Sequence, residues 1–315
     1  MDESPRNASS DRERDGLGEL DAPVGPRSDV LDALAAALPP ARPRRRGLGI
    51  GAWIAIGWLV FLIGAAVLAP LLPLADPEAS NPSIAREAPS SAALLGGDAN
   101  GRDVLARVVY GARGSLAIGL GAIAIGLVAG GALGLLGGYH GRRVDALVAG
   151  AFDVMLSVPA LILALAFTVF LGAEVRNMIL ALGIVAIPQL GRIARANTLA
   201  WSQREFVRAA RAQGARDGRI IGREILPNVL PAMFSVALLG VAVAIVAEGG
   251  LSLLGAGVRA GTVTWGTMIA AGRTDLQTTP WVVLAPATAI FLTVLALNFL
   301  GDVIRARFDV REAAL

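Results

Sequence analysis

Uncharged stretches alternate along this chain with short charged segments, and six of them are long: residues 47–75, 114–141, 154–173, 177–191, 225–247 and 276–301. About 20 apolar residues at 1.5 Å each cross the hydrocarbon layer of a bilayer, so each stretch predicts a membrane helix. The fourth stretch is the shortest, about 15 residues or ~22 Å of helix, and needs flanking residues or burial within a bundle to span. The pattern predicts an all-α membrane protein with about six transmembrane helices.

Composition agrees, since 55% of the 315 residues are hydrophobic and only 17% are charged. All 28 basic residues are arginine, which removes a Walker-type phosphate lysine, a Schiff-base lysine and a lysine general base. If ATP drives this protein, another chain binds it. Cysteine is absent and His140 is the single histidine, so disulfides, thiolate chemistry and Cys/His metal sites are excluded. His140 falls in a short basic turn and reads as a solvated loop residue. Aromatic residues make up only 5%, too few to interleave with arginines in a nucleic-acid patch.

Arginine placement sets orientation, because basic short loops stay cytoplasmic. Arg42, Arg44, Arg45 and Arg46 precede the first span; Arg142 and Arg143 follow the second; Arg192 through Arg223 follow the fourth; and Arg305, Arg307 and Arg311 follow the sixth. With all four groups inside, both termini are cytoplasmic. Residues 1–46, rich in Pro, Ser, Asp and Arg, read as a disordered cytoplasmic tail. Beyond it the chain divides into a first helix with its outer loop (47–112), a core of five helices (113–305) and a short cytoplasmic C-terminal tail (306–315).

No Asp, Glu, Arg or His lies near the middle of a predicted span. A carrier coupled to protons or sodium keeps such groups at the midplane, so coupling to an ion gradient is disfavoured. Mildly polar residues remain, and Ser157, Gln189, Ser235 and Asn298 are candidates for lining a solute pathway, with hydrogen bonding between helices as the other reading. Gly126, Gly130, Gly134 and Gly138 recur at every fourth residue of the second span and form a stripe on which another helix, of this chain or of a partner subunit, can pack closely.

The most informative segment is 192–228. Glu205 to Gln213 is good helix material, Gly214 is placed to end it, and Arg216 to Leu226 can begin a second helix. The apolar positions Phe206, Ala209, Ala210, Ile220, Ile221 and Ile225, ringed by arginines, suit docking into a partner's groove or resting on anionic lipid headgroups.

The run EFVRAARAQGARDGRIIGREILPN, Glu205 to Asn228, resembles the EAA loop of bacterial ABC importer permeases in its peptide/nickel version. LGGDANGRDVLARVVYGARGSL from Leu95, EGGLSLLGAGVRAGTVTWGTMI from Glu248 and PWVVLAPATAIFLTVLALNFLGDVIRARFDVR from Pro280 resemble the C-type subunit of the same dipeptide/oligopeptide/nickel family, and the resemblance covers nearly everything from Trp53 onward. It implies a type I importer-like bundle with a cytoplasmic coupling helix, in the bacterial inner membrane. Two homologous permease subunits, different chains in the family's usual heterodimer, would enclose the pathway. Two cytoplasmic ATPase subunits holding ATP and magnesium would bind the loops, and an extracytoplasmic binding protein would deliver the solute. This chain itself would hold no cofactor or metal and catalyse nothing.

The resemblance assigns the ATPase-coupling loop to Glu205, Phe206, Arg208, Ala209, Ala210, Gly214, Ile221, Ile225, Leu226 and Pro227. Arg208 stands where the general motif has its glutamate, Gly97 and Ala106 replace a Thr and a Ser, and Arg259-Ala260-Gly261 replaces a Pro-Pro pair. The glutamate's role is not carried over to Arg208, and the departures in the external segments bear on solute and binding-protein contacts. Short peptides lead the implied solutes, with nickel chelates, opines and glutathione-like molecules behind. Outside the family, the alternatives are a carrier or channel working without ATPases and a lipid-associated structural protein.

Overall fold

Every long apolar stretch becomes helix, but several boundaries differ from those the charges suggest. The computed structural model describes residues 49–259 and 261–312; the predicted tail at 1–46 and its arginine cluster lie outside them, as does Ala260. Among the described residues there is no β-strand, only an isolated bridge between Gly97 and Asp103. In chain order the helices are α1 (Ile50–Leu68), α2 (Val104–Ile125), α3 (Gly131–His140), α4 (Arg142–Leu156), α5 (Ala160–Leu171), α6 (Val175–Ser202), α7 (Glu205–Ala212), α8 (Leu226–Leu253), α9 (Trp265–Gly272) and α10 (Trp281–Glu312). A π-type turn at Gly126–Gly130 joins α2 to α3 without a break, and another at Ile220–Ile225 leads into α8. Among the described residues, five uninterrupted helical segments are long and apolar enough to cross a membrane, and a sixth crossing is available if α4 and α5 form one span bent by 82°.

That bend corrects the reading of 154–173 as one straight span. Pro159 has no amide hydrogen and its ring disfavours helix at the residue before it, so α4 stops at Leu156 and α5 restarts at Ala160. The fourth span also changes: α6 has 28 residues rather than about 15. Counting to the first arginine cut it short, yet Arg192 and Arg195 continue the helix because each has a carboxylate on α4. Arg192 bonds Asp153 at 2.5 Å, and Arg195 forms a two-pronged pair with Asp145, one arm at 2.7 Å. The connection predicted at 192–228 therefore shrinks to the bend between α6 and the helical run that starts at Asp217.

Two division points move as well. The boundary drawn at 112/113 falls inside α2, which starts at Val104 under an Asp103 cap, and residues 306–312 of the C-terminal tail drawn from 306 continue α10. The fifth span passes its predicted end at Ala247 and runs to Leu253, so Glu248 lies within a helix and is fully buried.

The bundle closes around α6. All four stripe glycines face it: a methyl group on Gly130 would fall 2.3 Å from the Ile187 carbonyl oxygen, one on Gly134 2.3 Å from that of Gly191, one on Gly138 2.7 Å from that of Arg195, and one on Gly126 2.7 Å from the Ala186 methyl. Two helices thus meet backbone to backbone, the close approach that favours association in lipid, where apolar side chains gain little by leaving one another for acyl chains. Phe152 of α4 fills the space left by Gly191, which itself lies against Gly130. Away from the bend between α6 and α8, the segment before α2 is pinned by buried Arg107, which bonds the Pro77 carbonyl and Glu78, and by the Trp281 indole on the Gly97 carbonyl.

Candidate functional site

The bend between α6 and α8 is a short helix laid across a small core of its own. Glu205 begins α7 and Arg211 lies in its last turn, each of the sign that the helix dipole favours at that end. Gly214 follows with φ +81°, and the amides of Gln213, Gly214 and Ala215 bond back to Ala209, Arg211 and Ala210. No atom lies within 4 Å of where a Cβ on Gly214 would be, so the position requires glycine for its left-handed backbone and not for space.

The expected docking face divides, with Phe206 and Ala209 turned outward and Ile220 and Ile225 buried and so removed from it. Val207 is fully buried and Ala210, three residues on, is half-buried, whereas Phe206 is 40% exposed and Ala209 is exposed. Beneath Val207 lie Trp201, Ile220, Ile225, Val229 and Met233 with Leu135 of α3 and Ala194 of α6. Ile225 is buried there, Ile221 and Leu226 are half-buried, and Pro227 is exposed. Phe206, Ala209 and Gln213, at spacings of three and four, form an outward stripe of small and apolar surface, with Glu205, Arg208 and Gly214 also exposed.

Two aromatic anchors absent from the predicted set, Trp201 and Tyr139, hold this helix. Trp201 packs its ring at a tilt against Phe206, centroids 6.1 Å apart, and carries the Arg204 guanidinium 5.2 Å above its ring. Tyr139, at the end of α3, donates its hydroxyl to Asp217 at 2.6 Å and lies 5.5 Å beneath the Arg211 guanidinium, so it touches both arms of the bend. The only trace of these residues in the sequence is an aromatic residue at a helix end beside charges. His140 closes α3 in an exposed position beside Tyr139.

The four pathway candidates separate. Gln189 lines a cavity of about 300 Å³ on the face shared by α5, α6 and α8, and every other side chain around it is apolar. Ser235 is buried and donates to the Gly301 carbonyl at 2.8 Å, joining α8 to α10. Asn298 bonds the Val294 carbonyl of its own helix, and Ser157 bonds the Val154 carbonyl at the α4–α5 break. No cluster of side chains able to hold a metal ion occurs among the described residues.

Comparison with known proteins adds to this geometry. Residues 122–313 match the family model described as "Binding-protein-dependent transport system inner membrane component". The chain is 41% identical over 244 residues to the dipeptide transport system permease protein DppC of Alkalihalophilus pseudofirmus, covering 78% of this chain and 80% of that one. It is 36% identical to the di/tripeptide transport system permease protein DppC of Pseudomonas aeruginosa, covering 81% and 87%, and 37% identical to the glutathione transport system permease protein GsiD of Pectobacterium atrosepticum, covering 71% and 74%. Among solved structures, a chain of the MetNI methionine ABC transporter in inward facing conformations superposes with a TM-score of 0.53 at 22% identity, covering 64% of this chain and 95% of that one.

Proposed function

This chain belongs to the binding-protein-dependent transport system inner membrane component family and is a permease subunit of an ATP-driven importer, and we propose that it carries di- and oligopeptides and takes its driving force through α7. Relatives named for dipeptide and di/tripeptide transport support the solute class. The observation that carries the coupling role is the outward stripe of α7: Phe206 and Ala209 are exposed while Val207 fastens the helix from behind.

In this reading both termini and the bend face the cytoplasm, where two ATPase subunits holding ATP and magnesium each receive one such helix. A second, homologous permease subunit completes the pathway, and a binding protein delivers peptide on the other side. The cavity beside Gln189 is this chain's share of the pathway: apolar walls with one amide let a peptide pass without gripping it. ATP shifts the transporter between arrangements only as far as it binds one better than the other, and α7, rooted in the core beneath Val207, carries that difference into the spans.

The test is reconstitution of this chain with its partner permease, ATPases and binding protein in vesicles. Labelled dipeptide uptake should require ATP and be competed by di- and tripeptides but not by free amino acids. Phe206→Asp should weaken ATPase retention by about 2 kcal/mol, the scale of an interfacial aromatic anchor. Uptake by the permease chains without ATPases would overturn the reading. The glutathione-transport relative favours one second solute, and glutathione as the sole effective competitor would select it.

A further inference from the structure

The helical run from Asp217 to Leu253 has 37 residues, ~55 Å at 1.5 Å per residue, and its two ends carry different loads. The coupling bend is built on its first turns. Near its other end lies Glu248, with no exposed surface, in a helix whose neighbouring side chains are apolar. A carboxyl group taken out of water is costly unless hydrogen bonds replace the solvent, so its partners indicate what it holds.

Glu248 Oε1 accepts from Ser252 Oγ at 2.9 Å, one turn along the same helix, and from Thr264 Oγ1 at 2.8 Å. Oε2 has no hydrogen-bond partner among the described residues and lies over Gly266, where a methyl group would fall 2.6 Å away. Thr264 is the N-cap of α9, in a reciprocal box with Thr267. The next residue, Trp265, is fully buried and donates its amide to Ser115 Oγ at 3.0 Å and its indole to the Val108 carbonyl at 2.9 Å, both on α2. α2 and α8 also touch directly, since a methyl on Gly119 would fall 2.9 Å from Ile245. The start of α9 is therefore fastened by side-chain hydrogen bonds to α2 on one flank and to α8 on the other, and Glu248 supplies the α8 bond.

We propose that Glu248 is a positioning residue that makes α9 move with α8, so that a displacement of the coupling bend at one end of the long helix reappears at α9 at the other. This rests on the reading of α7 as the ATPase-docking helix. Because the chain contains no cysteine, a single reporter can follow α9. Ala271 is exposed on it, and Ala271→Cys in the complete transporter can be titrated with a membrane-impermeant maleimide, with and without ATP and vanadate.

Trapping nucleotide should change the labelling rate several-fold. Glu248→Ala and Gly266→Ala should abolish that change while ATP hydrolysis continues. Glu248→Gln should restore it, since the amide oxygen can still accept from Ser252 and Thr264. Thr264→Val, which leaves the acid in place, gives the same loss and serves if the alanine variant does not assemble. A purely structural role would lower the yield of transporter without altering the nucleotide response of what assembles. An unchanged response in assembled Glu248→Ala, or a reporter silent to nucleotide in a transporter whose uptake does run on ATP, overturns the proposal and leaves the importer reading intact. Absence of ATP-dependent uptake in the unmodified transporter removes both.

Discussion

Gly214→Val is expected to cut peptide uptake roughly tenfold, equivalent to ~1.4 kcal/mol, while the assembled transporter goes on hydrolysing ATP. Gly214 has φ +81° with open space around it, so the cost lies in the backbone. The left-handed conformation costs an ordinary L-residue ~1–2 kcal/mol, and a β-branched side chain fares worse there. The chain relieves that strain by reopening the turn, which changes the angle between α7 and the run beginning at Asp217. Tyr139 touches both arms, through Arg211 and Asp217, so the new angle also pulls on α3. α7 itself keeps its Val207 root and its outward stripe, and ATPases still bind. The quantity to measure is peptide moved per ATP hydrolysed. Gly218→Ala and Gly222→Ala, where a methyl also meets open space but no left-handed backbone is required, should leave that ratio unchanged.

The other large effect lies in the bundle. Gly134→Ala should reduce the folded chain recovered from membranes severalfold and lower its melting temperature, and Gly130→Ala should do the same. Overpacking a core by one methyl costs ~1–3 kcal/mol. These two sites belong at the upper end, because the atom in the way is in each case a carbonyl oxygen of α6 at 2.3 Å and not the tip of a flexible side chain. α6 also holds α4 through Gly191 and the two arginine–aspartate pairs, so pushing it away loosens three elements together. Gly150→Ala, which meets nothing, is the control. Thermal unfolding of detergent-purified chains separates the cases.

Much of this fold was legible in the sequence, because length and apolarity alone decide whether a helix can cross a bilayer. The misplaced boundaries share one cause. In a sequence a charge reads as the end of a span, but Arg192, Arg195 and Glu248 continue their helices because each has a partner on another element, Asp153, Asp145 and Thr264 respectively, and no one-dimensional pattern contains those partners. The break at Pro159 was readable from proline chemistry and was hidden by the uninterrupted apolar run around it. At the bend, Gly214 and the position of α7 follow from the turn signal and the family resemblance. Its orientation follows only in part: Phe206 and Ala209 of the expected docking face are exposed, whereas Ile220 and Ile225 of that face are buried with Trp201 beneath Val207, from outside α7. Likewise, Ser235 and Gln189 look alike as polar residues in apolar runs, and only packing separates a joint to Gly301 from a group facing a cavity.

The central claim is that α7 lies in the cytoplasm with its Phe206–Ala209 stripe against an ATPase. A single Ala209→Cys in this cysteine-free chain tests it most directly, by exposure to a membrane-impermeant maleimide in sealed vesicles of each orientation. Labelling confined to inside-out vesicles, and blocked when the ATPases are present, is the predicted result. Labelling from the outer face, or labelling that the ATPases leave untouched, would contradict it.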